Sequence, residues 1–388
     1  MLSIITLRLS RGLKYPLFCW LALLGCWTAT LETPTALFAK PRAKKSKPIR
    51  RLEVDPPLAT PSLSPLTEAQ RVALSKVSPD PEPESLVRNS HYWISNEHNH
   101  QVWFDYIKEL GGAYVGVGTD QNFLLAGWAR PELLILMDFD GEIPKLHELY
   151  RFFFSISATP KTFHLRWHRD YAADSLEKLK AHLAPQAPEG DERTKARWLK
   201  RWLKIYSLTR GIVYRRLLGT IKKYKKLNMK TFMTDQAQYD YLRSLWQTGR
   251  VFAIRGDLTA DQTMLDIATA LRAMGLTLNT LYLSNAEQYF ELTPKYRRNI
   301  IAQPWGERSY ALRTLGWKVW GYIDEDEAYH YNVQSGENFS DWMSRGRYMK
   351  AGRMLRKRTK TEPFGTSIMD SAPVEGRKPP KIAPAPPR

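Results

Sequence analysis

The chain has 388 residues, 43% of them hydrophobic and 12% aromatic, enough for a full buried core. Its formal charge of +19 sits mostly at the ends: ten Lys/Arg against three Asp/Glu in residues 1–60, twelve against three in 345–388, and 36 against 33 between. That distribution argues against a uniformly basic nucleic-acid-binding domain, and with both cysteines at Cys19 and Cys26 the remainder has no disulfide, thiolate nucleophile or cysteine zinc site.

Arg8, Arg11 and Lys14 precede the apolar run Tyr15–Trp27 with no acid among them. The run is too short to span a bilayer, which takes about 20 residues, and suits the apolar core of a secretory signal. At its end Leu23-Leu24-Gly25-Cys26 resembles a bacterial lipobox, which implies cleavage before Cys26 and lipid on that residue. An export leader over 1–26 and an exported, membrane-associated protein are therefore expected; a transit peptide or plain anchor, and a cytoplasmic protein, are the alternatives. Residues 27–85 join a basic cluster, Lys40 to Arg51, to repeated Pro, Ser, Thr and Glu, which predicts a tether unable to bury a core. The folded unit is expected over 86–350, and a basic, Pro-rich disordered tail over 351–388.

Within the folded unit, strands and helices alternate. Ser95 or Asn96 is placed to cap a helix running to Leu110, with Gly111-Gly112 as its stop. Ala113–Val117 reads as a strand, Asp120–Trp128 as a helix, and the apolar run Leu133–Met137 as a strand covered on both faces. A helical insertion is expected over about 160–248. Val251–Ile254 and Leu278–Leu283 are further strands, with a helix Asp261–Met274 between them. Strand character near Tyr310–Arg313, Val319–Ile323 and Ala328–Val333, with a short Asp324–Glu327 turn, predicts a closing antiparallel hairpin. The fold class that follows is α/β: a doubly wound, mainly parallel sheet with a C-terminal antiparallel hairpin and a helical insertion.

The most informative segment is Ala113–Asp140. A strand runs into Gly116-Val117-Gly118, the chain turns into a helix at Asp120, and a second strand ends on Asp138 or Asp140. Bare backbone and free N–H groups at a helix start favour an anionic or polar ligand, and an acid ending the second strand is where ribose hydroxyls are held in nucleotide-binding βαβ units. The competing reading gives the glycines to strand–helix packing and the acids to turn capping.

This pattern resembles the class I S-adenosylmethionine-dependent methyltransferases, by element order over roughly 113–333 and by motif over 113–140. The resemblance implies a crevice holding S-adenosylmethionine through Gly116, Gly118, the Asp120 turn, and Asp138 or Asp140. It also implies adenine contact at Asp257, and Asn285 and Glu287 facing a substrate. Tyr114 stands where the family has an acid, and Asp120 where it has a third glycine.

Other candidates carry less. His164 and His168 are spaced to share a helix face, but Lys161, Arg166 and Arg169 beside them disfavour a cation, and no metal is expected. Glu97 and His98 are candidate catalytic residues or plain helix-start residues. Fourteen Lys/Arg and no acid occupy 193–230, with Trp198 and Trp202 among them. That stretch reads either as a core-facing stripe with a solvated basic back or as a face resting on anionic lipid with tryptophans at headgroup level. Nucleic acid is not the expected partner. The expected function is an exported, membrane-tethered protein with a methyltransferase-like domain that binds a small molecule in its crevice. An active methyltransferase is the alternative, which an exported address would separate from its cytosolic cofactor.

Overall fold

A computed structural model describes residues 49–52, 56–316, 318–323 and 328–374. The leader, Cys26, residues 27–48 and 53–55 of the tether, the Asp324–Glu327 turn and the last residues of the tail lie outside the described residues.

The described residues form an eight-stranded sheet: β1 Ala113–Val117, β2 Leu133–Asp138, β3 Val251–Arg255, β4 Leu278–Ser284, β5 Trp305–Leu315, β6 His330–Ser335, β7 Thr359–Thr361 and β8 Thr366–Met369. Their order is β3-β2-β1-β4-β5-β6-β8-β7. The first five run parallel, β6 returns antiparallel to β5, and β8 and β7 extend that edge. The expected fold class holds. Every residue of β2 is buried because helices cover both faces of the sheet, so a strand there has no wet side on which to place a polar residue.

Twelve α-helices are described: α1 Glu68–Ser75, α2 Phe104–Ile107, α3 Gln121–Ala129, α4 Glu142–Ser155, α5 Pro160–Leu165, α6 Ala172–Leu183, α7 Glu192–Lys226, α8 Gln236–Gln247, α9 Thr263–Ala273, α10 Pro294–Ile301, α11 Gly336–Arg345 and α12 Ala351–Met354. One face of the sheet packs on a core that includes α3, α4 and α8, with α7 against it; the other packs on α9, α10 and α11, with α1. All of α3 is buried, as an apolar helix must be when it lies between a sheet and an outer helix layer. Helices α5 to α8 make up the expected insertion between β2 and β3. None of the described helices is long and apolar enough to cross a membrane.

Four expectations are corrected. The helix expected from Ser95 or Asn96 begins only as a single 3-10 turn at His100–Trp103 and continues as α2; residues 95–99 form an extended strap, held by side-chain contacts stronger than a local cap. The strand expected at Val319–Ile323 starts as a 3-10 turn, Lys318–Trp320, so the hairpin is formed by β5 and β6. The tether is not unfolded throughout: Leu66, Ala73, Leu74 and Val77 are buried against α9, and the Asp80 carboxylate accepts the N–H groups of Asp257, Gln262 and Thr263. The tail likewise contributes α12, the 3-10 turn Leu355–Lys357, β7 and β8, whose Met354, Leu355 and Met369 are buried. In both segments a few well-spaced apolar residues suffice to dock a short element that composition averages away.

Candidate functional site

In an open parallel sheet the ligand crevice lies beyond the carboxyl ends of the strands where strand order reverses. Here that point is between β1 and β4. The strap formed by residues 95–99 crosses it.

The strap is fixed at both ends. Ser95 donates its backbone N–H to Asp120 Oδ1 at 2.9 Å, so the residue standing in for the third glycine binds the protein's own main chain. Glu97, fully buried, lies at the ends of β4 and β5, where Ser284 Oγ and Thr314 Oγ1 each donate to Oε1 at 2.6 Å and the Tyr282 hydroxyl donates to Oε2. His100 Nε2 stands 3.3 Å from Oε2. Burial by itself would raise the Glu97 carboxyl; the His100 ring and the two hydroxyls outweigh it and hold the group below the usual carboxylate range. Ser284 takes a left-handed backbone, φ 51, to bring its hydroxyl there, a conformation a non-glycine residue adopts only when its surroundings enforce it.

Helix α7 closes the strap from outside. Arg216 reaches Asp120 Oδ2 through Nε at 2.7 Å, donates to the Glu97 carbonyl at 2.7 Å, and to His98 Nδ1 at 2.9 Å. One heptad on, Lys223 donates to the His98 carbonyl at 2.6 Å and to Asn99 Oδ1 at 2.5 Å. Partial burial together with the charges of Arg216 and Lys223 pushes the His98 imidazole down to about 4, so it is neutral at physiological pH.

The glycine turn is filled from inside. A Cβ on Gly116 would fall 2.0 Å from Asn122 Oδ1, which accepts from the Tyr114 hydroxyl at 2.9 Å. Gly118 has φ +91, and a Cβ there would meet Gln121 Nε2 at 2.5 Å. Both positions are bare because the protein's own polar side chains lie against them. Of the two departures from the methyltransferase pattern, Tyr114 holds Asn122 against Gly116, and Asp120 holds the strap and Arg216.

The remaining expected residues divide. Asp138 closes β2 and Asp140 follows it, both buried beside the turn; Asp138 Oδ1 accepts the Asp140 N–H at 2.9 Å, and Asp140 Oδ2 faces His91 Nδ1 at 2.7 Å. Burial pushes the Asp138 carboxyl up to about 7. Asp257 caps its own turn through Thr259, with N–H and hydroxyl both on Oδ1. Glu287 is buried in an ion pair with Arg313 at 2.8 Å and accepts from Tyr296. Asn285 lies at the crevice mouth near the Tyr329 hydroxyl. His164 and His168 both pack on Tyr214 of α7, and the described residues contain no group of three or more His, Cys, Asp or Glu arranged for a metal. A broad concavity of about 1040 Å³ opens at the other end of the sheet, by the start of β5, the end of β6 and α11, away from all of these residues.

Sequence reasoning raised Glu97 but missed Arg216, Lys223, Tyr282 and Thr314. A signal existed for two of them: Arg216 and Lys223 are seven apart and flank Val213, Leu217 and Tyr224, the inward face of α7, where a cation must find a partner.

A family model described as a domain of unknown function (DUF7790) matches residues 92–371, from the strap to the last strand. No curated protein matches the chain.

Proposed function

The chain belongs to the DUF7790 family, and from its crevice we propose that it is a membrane-tethered, non-catalytic binding module of methyltransferase-like fold, whose crevice is held shut by its own strap. The observation that carries this reading is the Glu97 carboxylate, taken to the switch point of the sheet and satisfied there by Tyr282, Ser284 and Thr314. A charge buried this deeply, beside a strained serine, is what a functional closure needs and a plain loop does not. A small molecule reaches Gly116, Gly118 and Asp138 only when the strap leaves.

Calorimetric titration of the full chain with S-adenosylmethionine and S-adenosylhomocysteine, combined with hydrogen exchange over residues 95–100, tests the reading. No saturable heat and unchanged strap protection are expected for both. Binding that leaves the strap protected and disappears with Asp138→Ala would overturn it. The second reading, an active methyltransferase, predicts such binding together with methyl transfer.

A further inference from the structure

Helix α7 runs for 35 residues, about 52 Å at the usual rise per residue. Several of its cations are engaged: Lys195 with Glu192, Arg201, itself exposed, with Glu142, Arg216 with Asp120, and Lys223 with the strap. Arg197, Lys200, Lys204, Arg215, Lys222 and Lys226 recur at spacings of three, four, seven and eleven, which sets them in one line along the outer face. All six are exposed, and none pairs with an acid among the described residues. Leu208, 54% exposed, sits in the same line. Trp198 and Trp202 are instead half-buried and packed against the core, so the expectation that they stand at headgroup level is corrected.

The chain enters the domain against α6, the neighbour of α7: Arg51 pairs with Asp174 at 2.9 Å and with Glu177 at 2.9 Å, and Arg50 lies over the Tyr171 ring and faces Asp170. The sequence leading into that point carries Lys40, Arg42, Lys44, Lys45 and Lys47. Residues 50 and 51 are thus fastened to α6, which packs against α7.

We propose that the outer face of α7 is a docking surface for an anionic lipid bilayer. The proposal rests on the tethered reading above but not on the closed crevice. A straight row of unpaired Lys and Arg with one exposed leucine suits a plane of negative headgroups. Single-stranded RNA is recognised with exposed aromatic platforms, which this face lacks.

The test uses the full chain with Cys26→Ala, so that no lipid on that residue contributes, and vesicles of phosphatidylcholine alone or mixed with phosphatidylglycerol. Sedimentation only with the mixed vesicles, reversed by salt, is expected. Lys200→Glu, Lys204→Glu and Arg215→Glu together lower the partition coefficient by about 100-fold or more. The same three positions changed to Gln give a smaller loss, with far-UV circular dichroism checking the fold of both sets. Reversal of Arg356, Lys357 and Lys360, exposed cations outside α7, leaves binding near that of the parent. Equal loss in that control, no vesicle binding at low salt, or retention by single-stranded RNA and not by vesicles would each overturn the proposal. Calorimetry on the crevice is unaffected by any of these outcomes, so failure here and failure of the closed-crevice reading are told apart.

Discussion

Asp120 and Arg216 lie 96 positions apart in sequence and 2.7 Å apart in space, with side chains only 4% and 8% exposed. The pair joins the first turn after β1 to the outermost helix and holds the strap between them. A buried pair is a poor source of net stability, but breaking one side strands the other charge out of water. Arg216→Ala and Asp120→Ala are each expected to lower unfolding free energy by about 3–5 kcal/mol. The double variant should cost clearly less than the sum, as urea denaturation in a double-mutant cycle will show. Arg216→Lys should not rescue, since an ammonium cannot reach Asp120, the Glu97 carbonyl and His98 together. Additive single effects would mean that the two residues do not act as a pair.

Glu97 is the other fastening of the strap. Glu97→Ala leaves the hydroxyls of Tyr282, Ser284 and Thr314 buried without their acceptor, at a cost of about 3 kcal/mol or more. Glu97→Gln keeps one acceptor oxygen and should cost less, about 1–2 kcal/mol. In both variants limited proteolysis should begin to cut within residues 95–99, which are protected in the parent. A strap as resistant in Glu97→Ala as in the parent would remove its role as a fastener.

Two buried groups beside the glycine turn respond to pH in opposite directions. Burial pushes the His147 imidazole down to about 4, and its Nε2–H donates to the Gly118 carbonyl at 2.8 Å. The unfolded ring titrates near 6.5, so between pH 6.5 and 4 the unfolded chain takes up a proton that the folded chain refuses, and stability falls as pH drops through that window. Asp138, raised by burial from 3.8 to about 7, keeps its proton in the folded state across that range, and so costs stability as pH rises from 3.8 to 7. Asp138→Asn should therefore be more stable than the parent at pH 8 and lose stability more steeply on acidification. His147→Gln should flatten the decline between pH 6.5 and 4. Urea midpoints from pH 4 to 8 measure both, and curves parallel to the parent would show that neither group titrates as its burial dictates.

The first four strands were legible because each is a short apolar run bounded by turn residues. Leu133–Asp138 and Leu278–Ser284 extend their expected spans by a single residue. Gly116 and Gly118 were legible as a turn but not as an occupied one, since the atoms that fill it belong to Asn122 and Gln121 on the next helix and to Tyr114 two strand positions before Gly116. The strap was misread for a physical reason. Ser95 and Asn96 look like helix caps in sequence, yet Glu97 gains hydroxyl partners 185 to 217 positions away that no local pattern reports. The ion pair of Glu287 with Arg313 was hidden for the same reason, because the two carry no local pattern that joins them.

The segment before residue 86 offers the sharpest test of what counts as the folded domain. Asp80 is 1% exposed, and its two oxygens accept the N–H of Asp257 at 2.9 Å and those of Gln262 and Thr263 at 3.2 Å, which caps the start of α9 from a distant part of the chain. Asp80→Ala leaves those donors buried and unmet, a loss of about 2–3 kcal/mol, while Asp80→Asn retains one acceptor and should lose less. Removing the whole segment also exposes the apolar surface that Leu66, Leu74 and Val77 cover, which adds on the order of 5 kcal/mol. A chain starting at residue 56 should therefore unfold at a markedly higher urea concentration than one starting at 86. The gap should shrink, but not close, when the longer chain carries Asp80→Ala. Equal midpoints for the two lengths would return residues 56–85 to the role of tether and leave α9 capped by solvent.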